Sequence, residues 1–577
     1  MTQVAIFGGG MGGLAAAHEL IERGFEVDVY EKRHIWGGKA RSYGVKGTGT
    51  DRASDLPGEH GFRFFPGFYK HIPNTMSRIP GVGGRGTVAD SLVQCTAGEF
   101  LLPGKRATIF PVRFPRSWQE FKERLHELRS SGGLGFEPGD LRHFAWVMFR
   151  AAIACQARRM AVFEKTSWWD YTGAQQRSAP YQNLLARGLT RSLVAMRAES
   201  ASTRTVADIM LQMVYYTLTP GASSDRVLNG PTSAVWIDPW RAHLEQSGVR
   251  FHPNTPLEAL ALGSDRHIAS ATVREQSGET RTVTADHYVA ALPCDVMQPI
   301  VAGPLADAAP SLRGIPQLYV EWMNGVQFYL RRDYPMVFGH TIFADSNWSL
   351  TSISQPQFWK DGPYPMHRFG DGQVQGLLSV DISDWTKCGK FTTTEPAERL
   401  SRDDVVKEVW AQIQAHVADS GFGPLDDADK LAVHLDHDID RHPEPGHRHA
   451  QSLRGRMTVA ELHKRRAAIA ADPTEPLDVD TEPLLVNTCG SWACRPEATT
   501  EIPNLFLASD YVRTCTDLAT MEGANEAGRR AVNGILAVTG SRAPRCQVWP
   551  LKEPWILAPF RALDWVLFRL QGGGAAV

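Results

Sequence analysis

A strand, a glycine-rich turn and a helix follow one another without a break at the N-terminus, and a second strand ending in an acid closes the unit. Together these predict an α/β protein organised around a parallel sheet. The apolar run Gln3 to Phe7 reads as a buried strand and enters Gly8-Gly9-Gly10-Met11-Gly12-Gly13, which contains Gly8-x-Gly10-x-x-Gly13. Leu14, Ala17, Leu20 and Ile21 recur at helical spacing until Gly24 stops the helix, and Glu26 to Glu31 alternates into the second strand. Glycines let the backbone approach a pyrophosphate, a helix N-terminus offers unpaired N–H groups, and Glu31 can accept from ribose hydroxyls. The same acid disfavours a 2′-phosphate and so argues against NADP. Gly81-Val82-Gly83-Gly84-Arg85-Gly86 also fits G-x-G-x-x-G, but it follows Pro80 instead of a strand and reads as a loop.

At 577 residues, 43% hydrophobic and 21% charged, the chain can bury more than one core, and at least two domains are expected. A net charge of -2 gives no global field for nucleic acid. No basic leader or signal-peptide core precedes the first strand, so a cytoplasmic location is expected. The best candidate for a membrane span, Phe144 to Phe163, is broken by Arg150, Arg158 and Arg159, which argues against one. Cysteines 95, 155, 294, 388, 489, 494, 515 and 546 form no C-x-x-C pair and read as reduced thiols; Cys489, Cys494 and Cys515 lack iron–sulfur spacing. His434, His437, His442, His447 and His449, interspersed with Asp436, Asp438 and Asp440, show no metal-binding spacing and read as a solvated loop. No metal is expected.

Six further stretches carry a family resemblance. After Glu31 comes Lys32-Arg33-His34-Ile35-Trp36-Gly37-Gly38-Lys39, then Gly58-Glu59-His60-Gly61-Phe62-Arg63-Phe64-Phe65-Pro66-Gly67-Phe68-Tyr69. Val249 to Leu257 and Ala285 to Pro293 follow in the middle of the chain, and Ile502 to Tyr511 with Thr520-Met521-Glu522-Gly523-Ala524 near its end. In this order the motifs resemble the flavin amine oxidase and phytoene desaturase superfamily, closest to the plant-type phytoene and ζ-carotene desaturases. The resemblance implies a discontinuous, Rossmann-like FAD-binding domain with an inserted α+β substrate-binding domain, holding FAD without a covalent bond. It places Gly8, Gly10, Gly12, Gly13, Glu31, Lys32, Gly38, Lys39, Gly61, Leu257, Asp510, Met521 and Glu522 at the cofactor, with Leu257 at the adenine and Asp510 at the ribityl or pyrophosphate region. The helix starting near Met521 would face the flavin N1–C2 edge, and His60 and Arg63 would lie nearest the flavin face as the candidate catalytic residues. This chain departs from the pattern at Ser509, where the desaturases have Gly, and by one extra residue before the M-E-G-A box.

The flavin motifs assign residues 1–90, 225–300 and 475–541 to the FAD domain, and 91–224 and 301–474 to the substrate domain. The first insert is helical, with Trp118, Phe121, Leu125 and Leu128 at helical spacing and then Trp168, Trp169 and Tyr171; the second has strand-like runs such as Val326 to Leu330. Residues 542–577 form an amphipathic tail that suits an interfacial helix reaching lipid, docking on the protein's own surface, or a dimer contact. The resemblance implies an FAD-dependent desaturase or dehydrogenase that transfers hydride from a large apolar, isoprenoid-like substrate to flavin N5. Its alternatives are an amine or amino-acid oxidase, a non-redox FAD-dependent isomerase or dehydroxylase, and a flavin-free binding protein, against which the intact glycine, Glu31 and Asp510 set argues.

Overall fold

The computed structural model describes residues 1–115, 135–437, 456–471 and 479–572, together with residues 117, 119, 122, 439 and 440. Trp118, Phe121, Leu125 and Leu128, and Asp438, His442, His447 and His449, lie outside the described residues.

Five parallel strands, β1 (Gln3–Phe7), β2 (Glu26–Tyr30), β3 (Arg250–His252), β4 (His287–Ala290) and β5 (Leu505–Leu507), form one sheet in the order β5-β4-β1-β2-β3. Val4, Ile6, Val27 and Val29 are wholly buried, as expected of a parallel sheet covered on both faces. The first two strands lie where the apolar runs placed them, and the other three come from the middle and far end of the chain. The helices that matter below are α1 (Met11–Ile21), α2 (His71–Met76), α3 (Pro138–Ile153), α4 (Gln156–Ala161), α5 (Thr203–Thr217), α6 (Met521–Val538) and α7 (Ala558–Leu570). Helices α1 and α6 cross backbone to backbone: a Cβ on Gly528 would lie 2.6 Å from the Gly12 carbonyl oxygen. The Gly81–Gly86 segment is a turn, with Gly83, Gly84 and Gly86 at positive φ.

A second, seven-stranded sheet has the order 430–435, 324–330, 376–382, 351–354, 341–343, 97–101 and 108–111. Every residue of its strand Asn324–Leu330 is buried, and Phe328 packs on Trp410 of the helix Arg402–Val417 at 4.8 Å between ring centroids. The stretch read as a solvated loop is partly a strand, Lys430–Leu435, paired with Asn324–Leu330. That pairing carries His434 and Asp436 inward, and no local spacing could reveal it.

The tail docks on the protein by its polar side. Residues Cys546 to Lys552 are strapped down first: Asn533 exchanges hydrogen bonds with Cys546, the Trp549 N–H donates to His71 Nε2 at 3.0 Å, and Gln212 pairs with both backbone groups of Lys552. In α7, Asp564 accepts from the Cys155 N–H and Arg158 Nε, each at 2.9 Å, while Phe568 is buried beneath the Arg158 guanidinium. The apolar side faces outward, so that Trp555, Ile556, Leu563 and Leu570 are 84%, 63%, 57% and 78% exposed. Trp146 and Phe149 of α3 extend the same exposed surface. Among the described residues no helix is long and apolar enough to cross a membrane.

Because the Asp564 contacts are half-wet, their loss should cost only about 1 kcal/mol or less. Asp564→Ala is therefore expected to leave the melting temperature within a few degrees of wild type while making the chain after Pro554 sensitive to limited proteolysis. An unchanged digestion pattern would show that Asp564 does not hold the tail.

Candidate active site

The glycines of the first turn answer to different neighbours. A Cβ on Gly8 would lie 2.4 Å from the Ala291 carbonyl oxygen, one on Gly12 1.8 Å from that of Ala508, and one on Gly13 1.9 Å from that of Gly8. These three positions are needed so that the chain can pack on itself. Gly10 is different: its φ is -83°, and the nearest heavy atom to its Cβ would be Gly38 Cα at 3.7 Å. Its missing side chain borders a cavity of about 360 Å³.

Of the residues singled out in the sequence, Gly8, Gly10, Gly12, Glu31, Lys32, Gly38, Lys39, Leu257, Asp510, Met521, His60 and Arg63 all line that cavity. The first residues of both α1 and α6 open onto it, and the Thr520 side chain caps α6 by accepting from the Gly523 N–H at 3.1 Å. Two sets of unpaired N–H groups, each with the positive end of a helix dipole, thus face one space. Glu31 is 7% exposed and accepts from the Gly9 N–H at 2.7 Å and the Arg33 N–H at 3.0 Å; burial pushes its carboxyl above the ordinary range. A carboxylate has about four acceptor positions, so Glu31 still has capacity for hydroxyl donors. Lys39 donates to the Pro483 carbonyl at 2.5 Å. Burial opposes its charge, but Asp510, Asp295 and Glu482 outweigh burial and raise its pKa.

Three of the expected cofactor residues do not reach the cavity. Gly13 packs on Gly8, and Gly61 lies against Asp381, whose Oδ1 would be 2.7 Å from a Cβ there. Glu522 is a correction. Its carboxylate turns away and accepts from the His71 and Ile72 N–H groups at 2.7 and 2.9 Å, with His71 Nδ1 at 2.8 Å. It stabilises the N-terminus of α2, whose unpaired donors call for an acid there. Sequence reasoning missed Glu482, which also lines the cavity. It sits 2.7 Å from Arg33, 2.8 Å from Arg41 and 3.7 Å from Lys32; burial opposes its ionisation, but these cations hold its pKa far below the usual carboxylate value. Lys32 and Arg33 follow the acid-ended strand closely, but nothing near them in sequence points to an acid so far along the chain.

His60 and Arg63 also line the cavity. Arg63 donates to the Ala40 and Lys39 carbonyls at 3.2 and 3.0 Å, which binds the second motif to the first. His60 is 4% exposed, and its Nδ1 lies 2.5 Å from Asp436 Oδ2. Burial alone would lower the imidazole pKa, but Asp436, with Asp480 and Glu482 beyond it, raises it above the ordinary histidine range. Burial also raises the carboxyls of Asp381 and Asp480, each to about 7. Elsewhere the fold brings together Cys95, Asp225 and His340, with donor atoms within 4.8 Å of one another, from three distant segments. His340 Nδ1 is paired with Asp225 Oδ2 at 2.6 Å.

These residues fit FAD. Gly10 leaves room for a pyrophosphate, two helix N-termini face the same space, Glu31 offers acceptors for ribose, and Lys39 is a half-buried cation beside Asp510. The glycines supply the test. Gly10→Val should fold, because its Cβ has space and its φ suits any residue, yet lower FAD affinity at least a hundredfold by filling the phosphate position. Gly12→Ala should fail to fold, because Ala508 cannot move without displacing β5. Circular dichroism and flavin titration separate the two outcomes; a Gly10→Val protein that keeps its flavin would refute the assignment.

The chain matches the family model for flavin-containing amine oxidoreductases over residues 11–536. Among curated proteins it is 26% identical over 310 residues to a zeta-carotene desaturase of Synechocystis sp., covering 51% of this chain and 58% of that protein. It is 25% identical over 315 residues to the chloroplastic and chromoplastic zeta-carotene desaturase of Solanum lycopersicum, covering 51% and 48%. The chain thus spans about half the length of the curated relatives it matches. Among solved structures, cyclohexylamine oxidase from Brevibacterium oxydans has the same fold, with a TM-score of 0.57, 12% identity and coverage of 93% of this chain and 99% of that one. A putrescine oxidase is similar, with a TM-score of 0.55, 15% identity and the same coverage. The family match runs from the first residue of α1 to near the end of α6, and on that evidence the chain belongs to the flavin-containing amine oxidoreductases and is an FAD-dependent oxidoreductase.

Proposed function

We propose that this enzyme is a desaturase or dehydrogenase of a large apolar, isoprenoid-like molecule, and that it meets its substrate at a membrane surface. The observation that carries the proposal is the chemistry of the cavity wall beyond the glycine turn. Phe64, Pro66, Phe68, Ile209, Met213 and Leu518 line it, an environment that favours a hydrocarbon over an ammonium group. The sequence similarity to zeta-carotene desaturases supports the same substrate class. FAD, held by Gly10, Glu31, Lys39, Asp510 and the α6 N-terminus, would supply a two-electron acceptor that takes a hydride. The protein's own contribution is then to align a carbon chain and exclude water, for which rigid apolar walls suffice.

The outward apolar side of α7, with Trp146 and Phe149 beside it, supports delivery of such a substrate from lipid. Arg150 and Arg569, both exposed, lie on the same two helices, where they can meet anionic headgroups.

Two measurements test this. Under anaerobic conditions, carotenes and other polyenes presented in detergent should bleach the flavin absorbance, whereas primary amines and amino acids should not; bleaching by amines alone would overturn the substrate class. A chain ending at Pro554 keeps its straps and should retain FAD while losing sedimentation with anionic vesicles. Equal sedimentation of the short and full chains would remove the membrane role.

A further inference from the structure

His60 is buried in the cavity wall; its Nδ1 has Asp436 as an ion-pair contact without hydrogen-bond geometry, and its Nε2 has neither a hydrogen-bond nor an ion-pair partner among the described residues. A buried ring nitrogen without a partner, lining a cavity, marks a position where a ligand or a reacting atom completes the bonding. On the other side of the ring a polar chain begins. Asp436, wholly buried, stands against His60 Nδ1 and accepts from Asn324 Nδ2 at 2.9 Å. Its second oxygen accepts from the Tyr43 hydroxyl at 3.2 Å, and that hydroxyl meets His434 Nε2 at 3.0 Å. His434 is half-buried on Lys430–Leu435, an edge strand of the second sheet. A series of polar side chains therefore runs from the apolar cavity towards the surface, although aligning a hydrocarbon against a flavin does not by itself require one.

We propose that His60 Nε2 takes the proton that the substrate must lose, that Asp436 is its positioning residue, and that Tyr43 and His434 pass the proton to solvent. This rests on the desaturation read above. Forming a carbon–carbon double bond removes a hydride from one carbon, which goes to the FAD, and a proton from its neighbour, which goes to His60. The electron pair of the second C–H bond becomes the π bond. His60 must then lose a proton and recover a free Nε2 before the next turnover, and Asp436, Tyr43 and His434 form the polar series through which that proton can leave. Burial lowers the His434 pKa to about 4, so that ring does not retain the proton.

The pH dependence has a defined sign. His60 faces Asp436, Asp480, Glu482 and Asp381, and Arg63 and His340 also act on Asp381. The net effect holds its pKa above the ordinary histidine value, so the base form, and with it the reaction, appears only as pH rises through that raised value. Asp436→Asn should shift the profile to lower pH.

The test uses the FAD-loaded protein and stopped-flow bleaching by whichever polyene is active. His60→Gln should retain FAD but bleach at least a hundredfold more slowly, within the range general-base catalysis commonly supplies, about a hundredfold to ten-thousandfold. Imidazole should partly restore His60→Ala, and small buffers should restore Tyr43→Phe, effects that a purely structural role would not produce. Independently of any substrate, the histidine resonance missing from the NMR spectrum of ¹³C-labelled His60→Gln should titrate above the ordinary value in the wild type. Wild-type bleaching rates in His60→Gln, or titration at or below the ordinary value, would overturn the proposal. If no polyene bleaches the wild type, the desaturase reading fails, and the NMR titration still decides whether His60 is held as a base.

Discussion

The site depends on one close approach. Helices α1 and α6, from opposite ends of the chain, touch through glycines, and the space for a Cβ at Gly12 is taken by the Ala508 carbonyl. Only at that separation do both helix N-termini open onto the same cavity, and only then does Asp510, just after β5, stand beside Lys39. The contact is steric, so it tolerates little. The electrostatic consequence is larger than the contact itself, because the aligned backbone donors of two helices converge where a cofactor's phosphates and its reducible ring need positive potential.

Burial of charge is the second constraint. Glu482 sits among Arg33, Arg41 and Lys32, and an isolated carboxylate there would be strongly disfavoured, whereas a fully partnered one ties the Gly37-Gly38-Lys39 turn to a segment far along the chain. The same principle operates around His60. Several acids gather about one imidazole in a nearly dry region, and the result is a raised pKa on the histidine and raised values on Asp381 and Asp480. A structure that only had to pack would not collect so many ionisable groups beside apolar walls, and such groups concentrate at functional sites.

The tail shows how the same amphipathic sequence can be satisfied in more than one way. In α7 the side chains that anchor are Asp564 and the aromatic ring of Phe568, and most of the apolar residues remain outside. Ordinary docking would turn that face inward, since apolar surface left in water forgoes about 25 cal/mol per Å². That exposed apolar surface is what the proposed membrane contact rests on.

The sequence by itself determined the βαβ unit with its glycine turn and the acid after its second strand, because that unit is complete within about thirty residues, and it determined the order of the flavin motifs, because each motif is locally legible. Its motifs also grouped His60, Arg63 and Asp510, and in the structure all three line one cavity. It did not determine which side chains face the cavity. Glu522 lies within a motif, yet its carboxylate serves α2, because α2 packs where α6 begins. Glu482 and Asp436 lie outside any motif, yet both join the site, because strand pairing and ion pairing bring distant segments together. The histidine-rich stretch read as a solvated loop, but its register against Asn324–Leu330 carries His434 and Asp436 inward. Such contacts are set by tertiary geometry, in which one residue's shift along a strand reverses the side it faces, and no spacing along the chain encodes that choice.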